Sequence, residues 1–249
     1  MVKREVLGRY RGSIFGIVWS FFNPLLMLTV YTFVFSVVFK ARWGISIDES
    51  QADYAIVLFA GIIIHGLLAE CVNRAPRLIL DNVNYVKKVI FPLDILPWIA
   101  IGSALFHATI SLIILMAVQL MLNNYLTWTA IFFPLVMLPL IFATIGLTWL
   151  LSSLGVYIRD IGQFTSIFTT VLMFISPVFY PVSALPKEYQ NWVILNPLTY
   201  ILEEGRNTLL FGIMPDWQTL GMALIVSCLM AWGGFLWFQK TRKGFADVL

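Results

Sequence analysis

Few side chains in this 249-residue chain are arranged for covalent chemistry. His65 and His107 each stand alone in an apolar stretch, with no second histidine or carboxylate three or four residues on to complete a metal site or a proton-transfer pair. Each reads as a packed or pore-facing polar group. Cys71 and Cys228 also lie in apolar runs, with neither a disulfide framework nor metal-ligand spacing. No G-x-x-x-x-G-K followed by Ser or Thr occurs, so ATP hydrolysis by a phosphate loop is not expected of this chain. The densest polar set is Glu203, Glu204 and Arg206, the best available to a catalyst working at a membrane face. No charge falls centrally in an apolar run, where proton-coupled transporters place Asp, Glu or His chains; Glu70 and Asp94 sit at run ends. The residues thus offer recognition and movement more readily than bond-breaking.

The elements that position these residues follow from composition. Hydrophobic residues make up 60% of the chain and charged residues only 12%, about half the charge of an ordinary soluble domain. That excludes disorder and a soluble surface and places the chain in a bilayer. Charge-free runs cover residues 14–39, 54–69, 95–158, 161–186 and 217–239. A helix needs about 20 apolar residues to cross a hydrocarbon core of roughly 30 Å. The run 95–158 must therefore be two spans, divided at Asn123-Asn124-Tyr125. Six transmembrane helices are expected near 22–39, 54–71, 97–121, 130–156, 162–180 and 218–238, in one all-α integral-membrane domain over 1–249. The first run is too long for a signal-peptide core and lacks a cleavage site. The continuous runs also exclude the alternation of a barrel strand. With the N-terminus inside, Lys3, Arg4, Arg9, Arg11, Arg74, Arg77, Lys87, Lys88, Arg159, Lys240, Arg242 and Lys243 fall on the cytoplasmic side, against four basic residues outside. Both termini are expected in the cytoplasm. The spread of basic residues over membrane flanks gives no case for nucleic acid.

The segments between spans carry the remaining signal. Residues 2–12 place Val2, Val6, Leu7, Tyr10 and Ile14 on one helical arc, with Lys3 intruding, and read as an amphipathic helix in the headgroup layer. It serves as a topology anchor, as a surface for a partner or anionic lipid, or as both. Residues 72–94 suggest a short helix under the membrane, with Asn73 or Asp81 as caps and Pro92 ending it; a plain basic loop would look similar. The loop 157–160, with Arg159 and Asp160 adjacent, reads as a turn anchor. Residues 176–217 contain Pro177, Pro181, Pro186 and Pro197 yet remain rich in aromatic residues. They suggest short re-entrant helices that form a gate, with an interfacial belt as the alternative.

Five strings, in order, resemble the bacterial ABC-2-type polysaccharide-export permeases. They are R-Y-R-G-S from Arg9 with W-S-F-F-N-P-L-L at Trp19 to Leu26, and N-x-N-Y-V-K-K-V-I-F-P-L-D-I-L-P at Asn82 to Pro97. Y-I-R-D-I-G-Q at Tyr157 to Gln163, S-P-V-F-Y-P-V-S-A-L-P at Ser176 to Pro186, and N-P-L-T-Y-I-L-E-E-G-R-N-T-L-L-F-G at Asn196 to Gly212 follow. These permeases are the transmembrane subunits of ABC exporters for O-antigen, capsule and teichoic acid chains.

The resemblance implies a homodimer around a conduit in the bacterial plasma (inner) membrane, with two copies of a separate ABC ATPase beneath. The chain itself would bind no cofactor; ATP and Mg would be used by the partner. The cargo would be a lipid-linked glycan. Residues 77–90, including Arg77, Asn84, Tyr85, Lys87 and Lys88, correspond to the coupling helix, with Arg159 and Asp160 as a second ATPase contact. Residues 2–12 correspond to the interface helix and 177–212 to outer gate helices. Aromatic residues line the conduit in this family; Tyr31, Phe35, Phe174, Phe179 and Tyr180 are the candidates here, although aromatics facing lipid would have the same composition. Glu203 and Arg206 fall in the gate. Arg9, Arg11 and Arg159 are placed to meet a lipid diphosphate. Gly61-Ile62-Ile63-Ile64-His65 departs from the aromatics expected of many relatives and leaves His65 as the candidate polar group on the conduit. Two alternatives are an ABC-2 exporter of a small molecule or lipid, and a membrane-bound enzyme of glycan assembly.

Overall fold

The computed structural model describes residues 1–38, 43, 51–87 and 91–249. Among these no strand occurs, and five helical stretches are long and apolar enough to cross a membrane: Gly16–Phe35, Asp53–Arg77, Ile95–Asn123, Trp128–Tyr157 and Trp217–Val248. The chain begins with a short helix, α1 (Val2–Arg9), followed by α2 (Trp19–Tyr31), which widens into π-helical turns over Thr32–Val38. Next come α3 (Gln51–Arg74), the short α4 (Val83–Lys87), α5 (Ile95–Asn123) and α6 (Phe133–Tyr157). A 15-residue helix, α7 (Ile161–Ile175), leads through two short helices, α8 (Lys187–Ile194) and α9 (Pro197–Arg206), to α10 (Trp217–Thr241) and a terminal turn, α11 (Phe245–Val248).

The core forms around α3, whose Leu58, Ala60, Ile64 and Val72 are fully enclosed. Helix α6 packs against α10 backbone to backbone. A Cβ built on Gly234 would fall 2.8 Å from Gly146 Cα, so both positions must lack a side chain for the helices to meet. Gly155 does the same for the turn at Ala75–Arg77, because its Cβ would strike the Pro76 backbone. The outward faces of α2, α7 and α10 carry Phe21, Phe22, Phe164, Ile167, Ile225, Leu229 and Trp232, all exposed. An apolar periphery of that extent needs a hydrocarbon solvent, since water tolerates only limited patches.

Three boundaries differ from expectation, the first being α1, which ends at Arg9 although a helix is expected over residues 2–12. The fifth expected span, 162–180, ends as a helix at Ile175. Ser176 is extended, as a residue before proline must be, and Pro177 has no N–H to continue the ladder. Fifteen residues rise only about 22 Å, so α7 is shorter than a hydrocarbon core. In the segment 72–94, Asn73 belongs to α3 and Asp81 lies within a 3-10 turn, Leu80–Asn82; neither caps a helix. The far end of the first expected span, residue 39, and Lys88 lie outside the described residues.

Helices α1, α4 and α11 share one end of the bundle with the 158–160 turn: Arg4 donates to Tyr85 Oη, Phe245 packs on Phe238 and Tyr157, and Tyr157 Oη donates to Thr241 O. Arg242 pairs with Asp94 at 3.2 Å. The hairpin 176–216 occupies the opposite end, beside Tyr54 and Thr127.

Candidate functional site

At the hairpin end, α9 starts with a proline in its first turn and Asn196 as its cap, its side-chain oxygen accepting from Leu198 N at 3.0 Å. Leu198, Ile201 and Leu202 face the core, as their spacing requires. Arg206 lies one turn beyond and is 1% exposed. Its guanidinium donates through Nε to Val57 O at 3.1 Å, through Nη1 to Pro177 O at 2.7 Å and through Nη2 to Val178 O at 2.8 Å. Its charge lies over the Trp43 ring, 4.4 Å from the centroid, and Glu203 is 3.7 Å away. Gly61 makes room for it: a Cβ there would collide with the guanidinium. Arg206 thus pins the 177–178 turn to α3. Glu203 remains partly exposed at the rim. Beyond α9, Thr129 and Thr127 donate to Thr208 O and Leu209 O, each at 2.7 Å, anchoring the π-turn Asn207–Phe211 to the start of α6. Burial raises the Glu204 carboxyl above its ordinary value, and burial beside Glu204 and Asp216 pushes the Tyr200 hydroxyl up to about 12.

The candidate conduit aromatics come together. Tyr31 meets Phe35 at 6.4 Å between ring centroids, Phe35 stacks on Phe179 at 5.6 Å, and Phe179 meets Phe174 at 5.6 Å. Phe35 also reaches Tyr54, and Tyr54 reaches Trp43, so the array ends at Arg206. Tyr180 is held by its hydroxyl, which donates to Phe174 O and Ile175 O and so satisfies the end of α7. Most of these ring faces are spent on one another; Phe174, 60% exposed, is the one that stands open. Together they form an aromatic plug joining α2, α3 and the hairpin.

His65 is buried on α3 and turned to α7, where its Nε2 lies 3.1 Å from Thr169 O. Thr169 Oγ1 bonds Asn73 Oδ1, extending the polar contact along both helices.

At the other end, Arg77, Asn84, Arg159 and Asp160 are exposed. Tyr85 is half-buried, its ring stacked on Phe91 at 4.7 Å and its hydroxyl accepting from Arg4. Lys88 and the side chain of Lys87 lie outside the description. Arg11 is exposed, whereas Arg9 pairs with Glu70 at 2.5 Å.

That pair belongs to a cluster the sequence does not reveal. His107 Nδ1 lies 3.1 and 3.2 Å from the two Glu70 oxygens and 3.0 Å from Arg9 Nη1, and its Nε2 is 3.1 Å from Tyr10 Oη. Two carboxylate oxygens facing Nδ1 assign the proton there, which leaves Nε2 to accept from Tyr10. Burial pushes the Tyr10 hydroxyl up, partly countered by Arg9. Glu5 pairs with Arg74, and Val2 packs over Gly102, so α1 is fastened along α3 and α5 at three points. The members are 37 and 61 residues apart along the chain, beyond the reach of any local spacing rule. The only sequence signal was a lone histidine and a lone glutamate in apolar helices.

The family model described as "ABC-2 type transporter" matches residues 1–210. The O-antigen export system permease protein RfbA of Myxococcus xanthus is 27% identical over all of this chain and 94% of its own length. A protein of the same description from Klebsiella pneumoniae is 23% identical over all of this chain and 93% of its own. The polysialic acid transport protein KpsM of Escherichia coli is 22% identical over 89% of this chain and 82% of its own.

Proposed function

From the premise that the chain belongs to the ABC-2 type transporter family, we propose that it is the transmembrane subunit of an ATP-driven exporter of polysaccharide. The observation that carries this reading is similarity over the whole chain to O-antigen export permeases of two bacteria. In this reading two copies form the conduit in the inner membrane, α7 with its following turn completes a sixth crossing, and both termini face the cytoplasm. The grouping of α1, α4, α11 and the 158–160 turn at one basic end supports that orientation and gives an ABC ATPase a single surface to engage. ATP hydrolysis belongs to that partner. Movement at α4 reaches α1 directly through Arg4 and Tyr85.

The cargo in this reading is a glycan on a lipid diphosphate. Arg9 ends α1 and Arg11 follows it, where an anionic headgroup would enter, and guanidinium groups suit phosphate oxygens. At the far end the hairpin 176–212 acts as a re-entrant gate, closed by the aromatic plug. Opening it would free the faces of Phe35, Phe174 and Phe179 for sugar rings to stack upon. In this reading Tyr31 belongs to the same path, and His65, buried between α3 and α7, supports it from behind.

Gene deletion tests the reading, with long-chain glycan stained on intact and on permeabilised cells. Glycan retained inside and missing from the surface, restored by the intact gene, is the expected result. Normal surface glycan would overturn it; loss from both compartments would point to synthesis instead.

A further inference from the structure

A cleft of about 710 Å³ opens between α1 and α3, lined by Arg4, Glu5, Gly8, Arg9, Arg11 and Arg74. Four guanidinium groups meet one carboxylate there, and Glu5 is already taken by Arg74. Arg4 is engaged by the neutral Tyr85 hydroxyl, and among the described residues no carboxylate pairs with Arg11. The surplus of positive charge fits a phosphate-bearing ligand.

Arg9 differs from the other three arginines. Its side chain is 47% exposed, while the Glu70 carboxylate it pairs with is only 20% exposed. One side of the guanidinium therefore lies on α3 and the other opens to the cleft. Behind it, Glu70 has a second partner besides Arg9: His107 Nδ1–H, on α5, within reach of both carboxylate oxygens. His107 is itself held by Tyr10. A buried carboxylate stripped of its only partner is costly, and this second donor lowers the cost of letting Arg9 go. Helix α1 need not leave either, because Val2 on Gly102 and Glu5 on Arg74 hold its start.

We infer that Glu70 and His107 are positioning residues for Arg9, holding its guanidinium at the mouth of the cleft and exchanging it with the phosphate of an anionic lipid. No proton moves in this exchange: Arg9 trades a carboxylate for a phosphate oxygen, and Glu70 keeps the His107 N–H. The inference rests on the phosphate reading of α1 given above and adds the residues that set its affinity and its release. The phosphate could belong to a cargo diphosphate or to a bilayer headgroup, which are the same chemistry at this site.

The test uses the permease in complex with its ATPase in nanodiscs, with ATPase rate as readout. One series holds the bilayer at neutral phosphatidylcholine and titrates a prenyl diphosphate; the other omits the diphosphate and titrates phosphatidylglycerol. Arg9→Gln raises the half-saturating concentration about tenfold by removing a charge-assisted bond. Glu70→Gln removes the competing carboxylate, so it lowers the half-saturating concentration about threefold and lowers the maximal rate as well, because Arg9 no longer has a place to return to. Glu70→Asp restores both values toward those of the parent. A purely structural role for Glu70 would raise the half-saturating concentration and would not produce this opposed pair of shifts. Glu70→Gln that leaves the half-saturating concentration unchanged or raised, while Arg9→Gln still raises it, overturns the positioning role and leaves the phosphate reading standing. Arg9→Gln without effect in either series overturns both. The opposed shifts in the diphosphate series assign the cargo as ligand; in the phosphatidylglycerol series alone they assign the bilayer.

Discussion

Removing Arg206 should separate the hairpin from α3, and the structure sets the size of the effect. Of its three acceptors, Val57 O lies inside α3 and keeps an intrahelical partner, as every interior helix carbonyl does. Pro177 O and Val178 O lie outside any helix and, among the described residues, receive no other donor. Arg206→Ala leaves those two carbonyls unsatisfied in a buried place, at about 1–3 kcal/mol each, so the loss should be about 2–6 kcal/mol. Arg206→Lys should fall between, because one ammonium cannot fork to both carbonyls while covering Trp43. Gly61 supplies a second arm. Gly61→Ala places a methyl where the guanidinium sits and should cost about 1–3 kcal/mol in the parent protein. In the Arg206→Ala background the guanidinium is gone and only Val178 O, 3.3 Å from that Cβ, stays close, so the same substitution should cost much less. Reversible unfolding in mixed micelles of the four proteins gives the coupling directly. An equal cost of Gly61→Ala in both backgrounds would refute the placement of the guanidinium, and an Arg206→Ala protein as stable as the parent would refute its role as the pin.

Three further outcomes are expected. Val2 Cβ lies 3.6 Å from the position a Gly102 Cβ would take, within disulfide range, so Val2→Cys with Gly102→Cys should cross-link on oxidation and show a reducible mobility shift in gels; no cross-link would mean α1 does not lie along α5. Gly234→Ala should destabilise by about 1–3 kcal/mol by forcing α10 off the Gly146 backbone, whereas its neighbour Gly233→Ala, which meets nothing within 4 Å, should not; thermal unfolding of the two variants makes the comparison. Because burial raises the Glu204 carboxyl in the folded hairpin, its contribution to stability is full below the ordinary carboxylate range and is lost as pH rises through the raised value. Glu204→Gln should flatten that part of a stability–pH profile measured by denaturant unfolding.

The sequence made the helices legible because charge is so costly in hydrocarbon: the charge-free runs coincide with α2, α3, α5, α6 and α10. It also marked α1 by its amphipathic arc and the hairpin by its prolines. The end of α7 is not legible because hydropathy continues through Val178, Phe179 and Tyr180, whereas the backbone is governed by Pro177. Arg206 was legible as part of the hairpin but not as its buried pin. In the sequence it stands only as a polar gate residue beside two glutamates, and its true partners are backbone carbonyls, which every residue has. The Arg9–Glu70–His107–Tyr10 cluster was hidden for a related reason: three segments must fold together before any of its pairs exists. The aromatic candidates pack on one another as rings, a contact between distant segments that composition does not specify.

The central claim is polysaccharide export driven by a partner ATPase. Its most direct test is vesicle reconstitution of the permease with that ATPase, lipid-linked glycan placed on the ATPase-bearing face, and a glycosidase confined to the opposite side. The account predicts ATP-dependent digestion of the glycan that disappears when the permease is omitted and when Lys87 and Lys88 are both reversed in charge. Glycan that stays protected with ATP, an intact permease and an active ATPase would contradict it.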